Sequence, residues 1–230
     1  MTQIFIFTAA HSVARAHLDD SIISPVDLSK LEGTFLESTG EEDNLMTKKE
    51  LENFVGDKNI FCWGSMPTRK KINKNFNTWS RMNIGDYVIC VYESRYRYIS
   101  RLKKRLNSFD LAKYIWGEDN GETWQYMYFL TEPIPIDFHL NEISLGDSPI
   151  QKFNGFARIS DKRIDYLEDK YGSLDQFIKE NFNVNITPEK SGIFDLDSFR
   201  DKIKDEELFD VNDIEDARKK INTSICRRQG

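Results

Sequence analysis

Short apolar segments rich in β-branched and aromatic residues recur through the middle of this 230-residue chain and constrain its fold more than any other feature. Turn-forming residues bound these segments, which is the pattern of β-strands. They cover residues 60–63, 87–92, 95–106, 124–130 and 134–138. A single helix interrupts them, predicted over residues 109–116 with Ser108 as its N-cap. Many short strands with few helices indicate a closed or nearly closed β-barrel.

Helical and polar segments flank this strand-rich region. The first part of the chain contains a strand at residues 4–7, a helix capped by Ser12, an acidic loop at 37–43 and a short helix at 48–54. Residues 161–182 predict two helices, the first stopped by Gly172 and the second capped by Ser173. We therefore predict an α+β fold with an N-terminal strand-helix extension (1–57), a central domain (58–182) and an acidic helical linker (183–230).

Charge is distributed unevenly along the chain. The formal net charge is −6, yet residues 66–105 contain eleven basic and two acidic residues, which leaves −15 for the remaining 190 residues. The same stretch carries the aromatic residues Phe76, Trp79, Tyr87, Tyr92, Tyr96 and Tyr98. Cations bind phosphates and aromatic rings stack on bases, so this combination favours nucleic-acid binding. A solvated strand edge protected by lysines is the alternative interpretation.

Several classes of protein and site are not indicated. No segment approaches the ~18 consecutive apolar residues of a membrane span, and we expect no signal peptide. The cysteines Cys62, Cys90 and Cys226 are odd in number and widely spaced, which predicts a reducing cytoplasm rather than a disulfide scaffold. His11 and His17 are not spaced as metal ligands on one helical face, and no glycine-rich phosphate loop is present. We predict no metal and no cofactor.

A series of short motifs occurs in a fixed order within the strand-rich region. The motifs are Cys62-Trp63-Gly64-Ser65 at a strand end, Met82-Asn83-Ile84-Gly85-Asp86 at a strand entry, Ile115-Trp116-Gly117 at a helix end, and Trp124-Gln125-Tyr126-Met127-Tyr128-Phe129-Leu130. Over about 100 of the 230 residues, this order resembles the EVE-like branch of the PUA superfamily, which is related to the YTH readers. The resemblance implies a small β-barrel flanked by helices.

The resemblance also implies a function. Domains of this family occur at the N-termini of modification-dependent restriction proteins, where they recognise one modified base flipped out of double-stranded DNA. N6-methyladenine is favoured here, with a modified cytosine as the alternative. Residues 213–230 resemble the linker that precedes an HNH nuclease domain, which implies a covalently linked nuclease outside this chain. The chain itself is therefore predicted to be a binding module and not an enzyme.

A flipped-base reader needs an aromatic pocket with polar groups. Extruding a base costs a few kcal/mol, stacking contributes ~1–3 kcal/mol per base, and one buried methyl contributes only about 0.8 kcal/mol. Polar groups must therefore supply much of the discrimination. The resemblance implies that Trp63, Gly64 and Ser65 form one wall of the pocket and a hydrogen-bonding rim. Trp116 and Tyr92 are the next candidates for the pocket, and Trp79 is either a further wall or a lid over the barrel mouth. Trp124 and Phe129 are interpreted first as core residues, and a core role is the alternative for Trp63 and Trp116.

Phosphate binding is assigned to cations of the basic stretch, namely Arg69, Lys70, Lys71, Lys74, Arg95 and Arg97. The residues Arg101, Lys103, Lys104 and Arg105 either share this role or face water. Strand alternation places Lys104 on the side opposite to the other three.

Three other functions stay open from the sequence. The first is a sequence-specific DNA-binding domain that is indifferent to modification, and the second is an RNA-modification reader, which the YTH kinship allows. The third is a metal-dependent nuclease that uses Asp86 and Glu93 near Lys103. We expect Asp86 to accept hydrogen bonds from local backbone amides instead.

Overall fold

The computed structural model describes residues 2–31, 34–38, 43–47, 51–52, 56, 59–68 and 73–186, with the backbone alone for 34–38 and 43–47. The chain divides into two compact units, Met1–Glu189 and Lys190–Gly230. The second unit lies outside the described residues. The stretch 213–230, which resembles a nuclease linker, also lies outside them. The same is true of most of the helix predicted at 48–54.

Ten β-strands are present in the described part of the chain. They are β1 Ile4–Thr8, β2 Val26–Asp27, β3 Thr34–Ser38, β4 Asp43–Thr47, β5 Asn59–Ser65, β6 Tyr87–Tyr92, β7 Arg95–Asn107, β8 Tyr126–Leu130, β9 Ile134–His139 and β10 Phe156–Arg158. Strands β3 and β4 form an antiparallel pair, and the other eight form one mixed sheet in the order β10-β1-β6-β7-β8-β5-β2, with β9 on β7. Only β1 and β6 pair in parallel among these strands.

Five α-helices with both ends described accompany the strands, and Leu51 and Glu52, within the helix predicted at 48–54, are also helical. They are α1 Ser12–Leu18, α2 Lys74–Trp79, α3 Phe109–Trp116, α4 Asp161–Tyr171 and α5 Leu174–Phe182. Helix α1 continues into a π-helix, Asp19–Ile23. The predicted α+β class is confirmed. Among the helices that the structure describes, none has the length and apolar character needed to cross a membrane.

The predicted closure of the strands into a barrel is not observed, because the sheet is open. Its two edge strands, β10 and β2, contain three and two residues and are too short to build a closing ladder. Strand β1, which belongs to the predicted N-terminal extension, is an interior member of the sheet between β10 and β6.

Local sequence signals located several elements correctly. Strand β6 and helix α3 have the predicted bounds, and the Ser108 hydroxyl accepts a hydrogen bond from the Leu111 amide at 3.2 Å. Gly172 adopts a left-handed conformation with φ of 83° at the end of α4. The Ser173 hydroxyl caps α5 by accepting a hydrogen bond from the Gln176 amide. These signals succeed because each depends on residues three or four positions apart.

Two local predictions are wrong. His11, not Ser12, is the N-cap of α1, and no side chain caps that helix. The helix at 109–116 is not the only one in the strand-rich region, because the stretch before Trp79 ends in helix α2, where the Asn73 side chain accepts a hydrogen bond from the Phe76 amide and so starts a helix. The short strands β2 and β10 and the β3–β4 pair were not predicted.

The sheet curls strongly, and the face on its inner side, which we call the concave face, encloses an apolar interior. Three strands separate β1 from β5 in the hydrogen-bonded order, yet the rings of Phe7 and Trp63 stack with centroids 4.9 Å apart. Leu18 of α1 and Ile22 of the π-helix cover this interior. Helices α4 and α5 pack on the opposite face of β1, β6 and β7, and α3 packs against β5 and β8.

Arg101 is a buried structural cation, with 3% of its surface exposed. Its guanidinium donates hydrogen bonds to the carbonyl oxygens of Gly85 and Ile186 and to the Tyr87 hydroxyl, and it pairs with the Asp175 carboxylate at 2.7 Å. The interpretation of Arg101 as a phosphate ligand or a solvent-facing residue is therefore wrong, because its donors are occupied inside the protein.

We expect Arg101→Met to lower the free energy of unfolding by about 2–4 kcal/mol, because it leaves buried acceptors without a donor. Urea titration measures this loss. The control Lys113→Met removes an exposed, ion-paired cation on α3 and should change stability by less than about 0.5 kcal/mol. Equal stability of the two variants would contradict a structural role for Arg101.

Candidate nucleic-acid interface

Three of the predicted pocket residues, Trp63, Gly64 and Ser65, lie next to one another at the end of β5. Trp63 and Ser65 project from the same face of the strand, because side chains alternate along it. Trp63 is 4% exposed and Trp116 7%, and their rings meet edge to face with centroids 6.2 Å apart. Trp63 also stacks on Phe7. In the state described here, both tryptophans are therefore part of the packed core.

Gly64 permits the close approach of the segment that follows α3. A Cβ atom at this position would lie 2.1 Å from the Trp124 carbonyl oxygen and 3.0 Å from Cζ3 of Trp116. Steric exclusion explains the glycine here, because its φ lies outside the left-handed region. The small residue thus lets two tryptophans pack directly against β5.

A histidine from α1 lies among these tryptophans. The His17 ring meets Trp124 edge to face with centroids 4.6 Å apart and lies 6.4 Å from the Trp116 ring. Both imidazole nitrogens are buried, and neither forms a hydrogen bond within the part of the chain that the structure describes. The Asp20 carboxylate lies 3.5 Å from Nδ1. We call His17, Trp63, Trp116 and Trp124 the tryptophan box.

Two further buried polar atoms occur on the concave face beside Trp63. The Ser65 hydroxyl and the Tyr128 hydroxyl have no hydrogen-bond partner among the described residues. Tyr128 pairs directly with Trp63 in the β5–β8 register, and its burial raises the pKa of its hydroxyl well above the usual value. An unpaired buried polar group costs about 1–3 kcal/mol, so these atoms call for an explanation.

Tyr92 packs against the apolar cluster that contains Trp63 and also faces a second cluster, made of cations. Its ring faces two guanidinium groups, those of Arg15 at 5.4 Å and Arg97 at 4.8 Å from the ring centroid. Within the described ranges no ring contact joins Tyr92 to the tryptophan box. The place of Tyr92 in the pocket stays a prediction.

The cations of this second cluster are ion-paired. Arg95 and Arg97 both contact the Asp137 carboxylate, at 2.5 and 2.9 Å, and Arg97 also contacts Glu93 at 2.9 Å. The hydrogen bond from Arg95 lowers the pKa of Asp137. The assignment of Arg95 and Arg97 to phosphates stays a prediction. Each would have to exchange ion pairs with the exposed carboxylates of Asp137 and Glu93 for a phosphate contact.

The remaining predicted phosphate ligands lie near α2. Arg69, Lys70 and Lys71 fall outside the described residues. Lys74 is exposed at the first position of α2. This helix also carries Trp79.

Trp79 lies in an aromatic cluster at the side of the sheet. Its ring centroid is 5.9 Å from that of Phe76 and 5.7 Å from that of Tyr126, and its indole Nε1 donates a hydrogen bond to the Met127 carbonyl. Beside it is a cavity of about 510 Å³, which we call the Trp79 cavity. Its lining consists of Trp79, Met82, Asn83, Ile84, Leu102, Lys104 and Arg105.

A β-bulge changes which residues of β7 share the side of Leu102. The β7–β8 register shifts between Leu102 and Lys104, after which Lys104 pairs with Phe129 and Arg105 with Tyr128. Consecutive strand residues alternate between the two faces, so the bulge brings Arg105 to the side of Leu102, with Lys104 on the other face as predicted, and both residues line the Trp79 cavity. The Arg105 guanidinium lies 5.0 Å over the Trp79 ring and donates to the Trp79 carbonyl.

The carboxylates proposed for a nuclease are far apart. Asp86 accepts hydrogen bonds from the amides of Gln3 at 2.9 Å and Asn83 at 2.6 Å, as expected, and burial raises its pKa. Glu93 lies beyond the other end of the six-residue strand β6, at a separation of about 20 Å. The two cannot share a metal ion. Within the described residues, no group of three or more metal-ligating side chains occurs.

We expect Gly64→Ala to lower the free energy of unfolding by about 3 kcal/mol or more, because the added methyl overlaps backbone. The comparison variant Gly172→Ala meets no atom within 4 Å and should cost only the left-handed backbone penalty of about 1–2 kcal/mol. Chemical denaturation of both measures the difference. A loss at Gly64 no larger than that at Gly172 would contradict the close packing of Trp116 and Trp124.

No family model, no curated protein and no solved structure matches this chain. The resemblance to EVE-like domains therefore stays a prediction. The function is inferred below from the geometry of the described residues.

Proposed function

We propose that this chain is a DNA-binding module that recognises a modified base flipped out of a duplex. The observation that carries the proposal is the imidazole of His17 in the tryptophan box, where neither ring nitrogen forms a hydrogen bond within the described residues and the Asp20 carboxylate lies 3.5 Å from Nδ1. A nucleobase is likewise a planar heteroaromatic ring with polar edge atoms. A site that holds one such ring between tryptophans is suited to exchange it for another.

The energetics are consistent with such an exchange. Flipping costs a few kcal/mol, and stacking on aromatic side chains contributes about 1–3 kcal/mol per base. Release of His17 would also let its buried nitrogens hydrogen-bond to water, which removes a penalty of about 1–3 kcal/mol for each unpaired group. The unpaired Ser65 hydroxyl beside Trp63 is available to a base edge, and such a polar contact discriminates more strongly than a methyl does.

The segment that would have to move is short. Helix α1 contains seven residues and continues into a π-helix that places Ser21, whose hydroxyl accepts a hydrogen bond from Nε1 of Trp116. A helix of this length is marginal without tertiary contacts, and π-helices are frequent at functional sites. Displacement of α1 would remove His17 from the box and leave the three tryptophans on β5, on α3 and in the segment between α3 and β8.

The resemblance supplies the finer parts of this proposal. A PUA/EVE-like barrel is supported by the curvature of the sheet, since β1 and β5 contact each other through Phe7 and Trp63. The favoured base is N6-methyladenine, with a modified cytosine as the alternative. The resemblance of residues 213–230 supports a covalently linked HNH nuclease in the parent protein, with this chain as its specificity module.

Binding to matched duplexes tests the proposal. We expect at least a tenfold preference for one of the duplexes that carry N6-methyladenine, 5-methylcytosine or 5-hydroxymethylcytosine over the unmodified duplex, measured by fluorescence anisotropy at two salt concentrations. Trp124→Ala should reduce this preference about tenfold, because it removes a stacking wall. His17→Ala should tighten binding of the preferred duplex, because it removes the ring that occupies the box. Tyr166→Ala, on α4, removes an equally aromatic residue and should change neither value.

Other outcomes would contradict the proposal. Equal and strongly salt-dependent binding to all four duplexes would indicate a domain that reads sequence or binds without specificity. Preference for a methylated single-stranded RNA of the same sequence would identify an RNA reader. Thermal unfolding of each variant verifies that a lost preference does not reflect a lost fold.

A further inference from the structure

Helix α1 holds His17 in the tryptophan box, yet few contacts fix the position of the helix itself. It has seven residues, no side chain caps it, and its first turn contains no acidic residue. Of these seven residues only Leu18 is buried. Because a helix of this length is marginal in water, its contacts with the rest of the protein decide where it lies.

Arg15 makes one of these contacts, on a different side of the helix from His17. Residues two positions apart on an α-helix do not share a face, so the two side chains engage different parts of the protein. The Arg15 guanidinium pairs with the Glu93 carboxylate at 2.8 Å and lies 5.4 Å from the centroid of the Tyr92 ring. Tyr92 is the last residue of β6, and Glu93 follows it in the turn. Helix α1 is thus joined to the sheet by a contact separate from the tryptophan box.

The turn that presents Glu93 adopts a backbone conformation that most side chains disfavour. Glu93 and Ser94 have φ of 54° and 57°, in the left-handed region, and Tyr92 pairs with Arg95 across them. A two-residue hairpin turn with both φ values positive prefers Asn and Gly. A glutamate at its first position therefore costs conformational energy, which the contacts of its carboxylate offset.

The Glu93 carboxylate binds two cations at once. One oxygen pairs with Arg15, and the other pairs with Arg97 at 2.9 Å. Arg97 also pairs with Asp137, so the contact belongs to a network, and networks of ion pairs contribute more than isolated pairs do. The side chains of Arg15 and Glu93 are 44% and 48% exposed. The pair can therefore separate at the surface without unfolding of the core.

We propose that the contact of Arg15 with Glu93 and Tyr92, which we call the α1 latch, holds α1 over the tryptophan box and so sets how often His17 leaves it. Arg15 and Glu93 are positioning residues, because they act on the box through His17. The inference rests on the proposed function only where it concerns the binding of a base. The latch lowers the affinity for that base, because the apparent affinity falls with the fraction of molecules in the open state.

Hydrogen exchange of the α1 amides tests the latch in the protein alone. Arg15→Gln and Glu93→Gln should each raise the exchange rates of α1 about threefold, the effect of losing a networked surface ion pair. The double variant should raise them no further than either single variant, since both substitutions remove the same contact. The amides of α4 and α5 should keep their wild-type rates. Faster exchange in all three helices would overturn the latch, because it would indicate a general loss of stability.

Two further substitutions in the turn separate the carboxylate from the backbone strain. Ser94→Gly relieves the left-handed strain next to Glu93 and keeps the carboxylate, so the exchange rates of α1 should not change. Glu93→Asn removes the contact with Arg15 but suits the turn, so it should speed exchange in α1 without lowering the melting temperature. Wild-type exchange of α1 in Glu93→Asn would overturn the latch.

Duplex binding connects the latch to the proposed function. Arg15→Gln and Glu93→Gln should both tighten binding of the preferred modified duplex about threefold, although one removes a cation and the other an anion. Weaker binding by Arg15→Gln together with tighter binding by Glu93→Gln would overturn the latch, because it would indicate a direct phosphate contact of Arg15. Faster exchange of α1 in both variants, with no modification preference in any protein, would contradict base reading and retain the latch.

Discussion

The stack of Phe7 on Trp63 is the contact on which the rest of the structure depends. It joins β1 to β5, which three other strands separate within the sheet, and so bends an open sheet around an apolar interior. Hydrogen bonds between neighbouring strands cannot close this curve, because the two edge strands contain only three and two residues and do not pair with each other. Burial of aromatic surface supplies the driving force, and it also places Trp63 against Trp116.

The basic stretch that dominates the charge pattern does not form one surface. In the described part, Arg101 supports the core, Arg95 and Arg97 pair with carboxylates, and only Lys104 and Arg105 converge on a cavity. The reason is that cations adjacent in sequence meet different partners once β7 is bent and bulged. Local charge density therefore overstates the number of cations available to a nucleic acid, which agrees with the overall acidity of the chain.

The tryptophan box offers stacking surfaces, and the Ser65 hydroxyl beside it has no hydrogen-bond partner among the described residues, a combination that suits recognition of a base. His17 and Trp124 were missed as site residues. The Trp124 motif had been interpreted as core, and no local signal marks a histidine that packs against tryptophans about 100 residues away.

The sequence by itself determined the local elements of this protein. Strand β6, helix α3 with its Ser108 cap and the Gly172 break were predictable, because their signals lie within a few residues of one another. The motif that contains Trp63, Gly64 and Ser65 was likewise visible. Only the tertiary structure decided the open curled sheet, the interior place of β1, the bulge that brings Arg105 to the side of Leu102, and the position of His17. These features depend on contacts between residues far apart in the chain. Local patterns of hydrophobicity and charge carry no information about which distant residue a given side chain contacts.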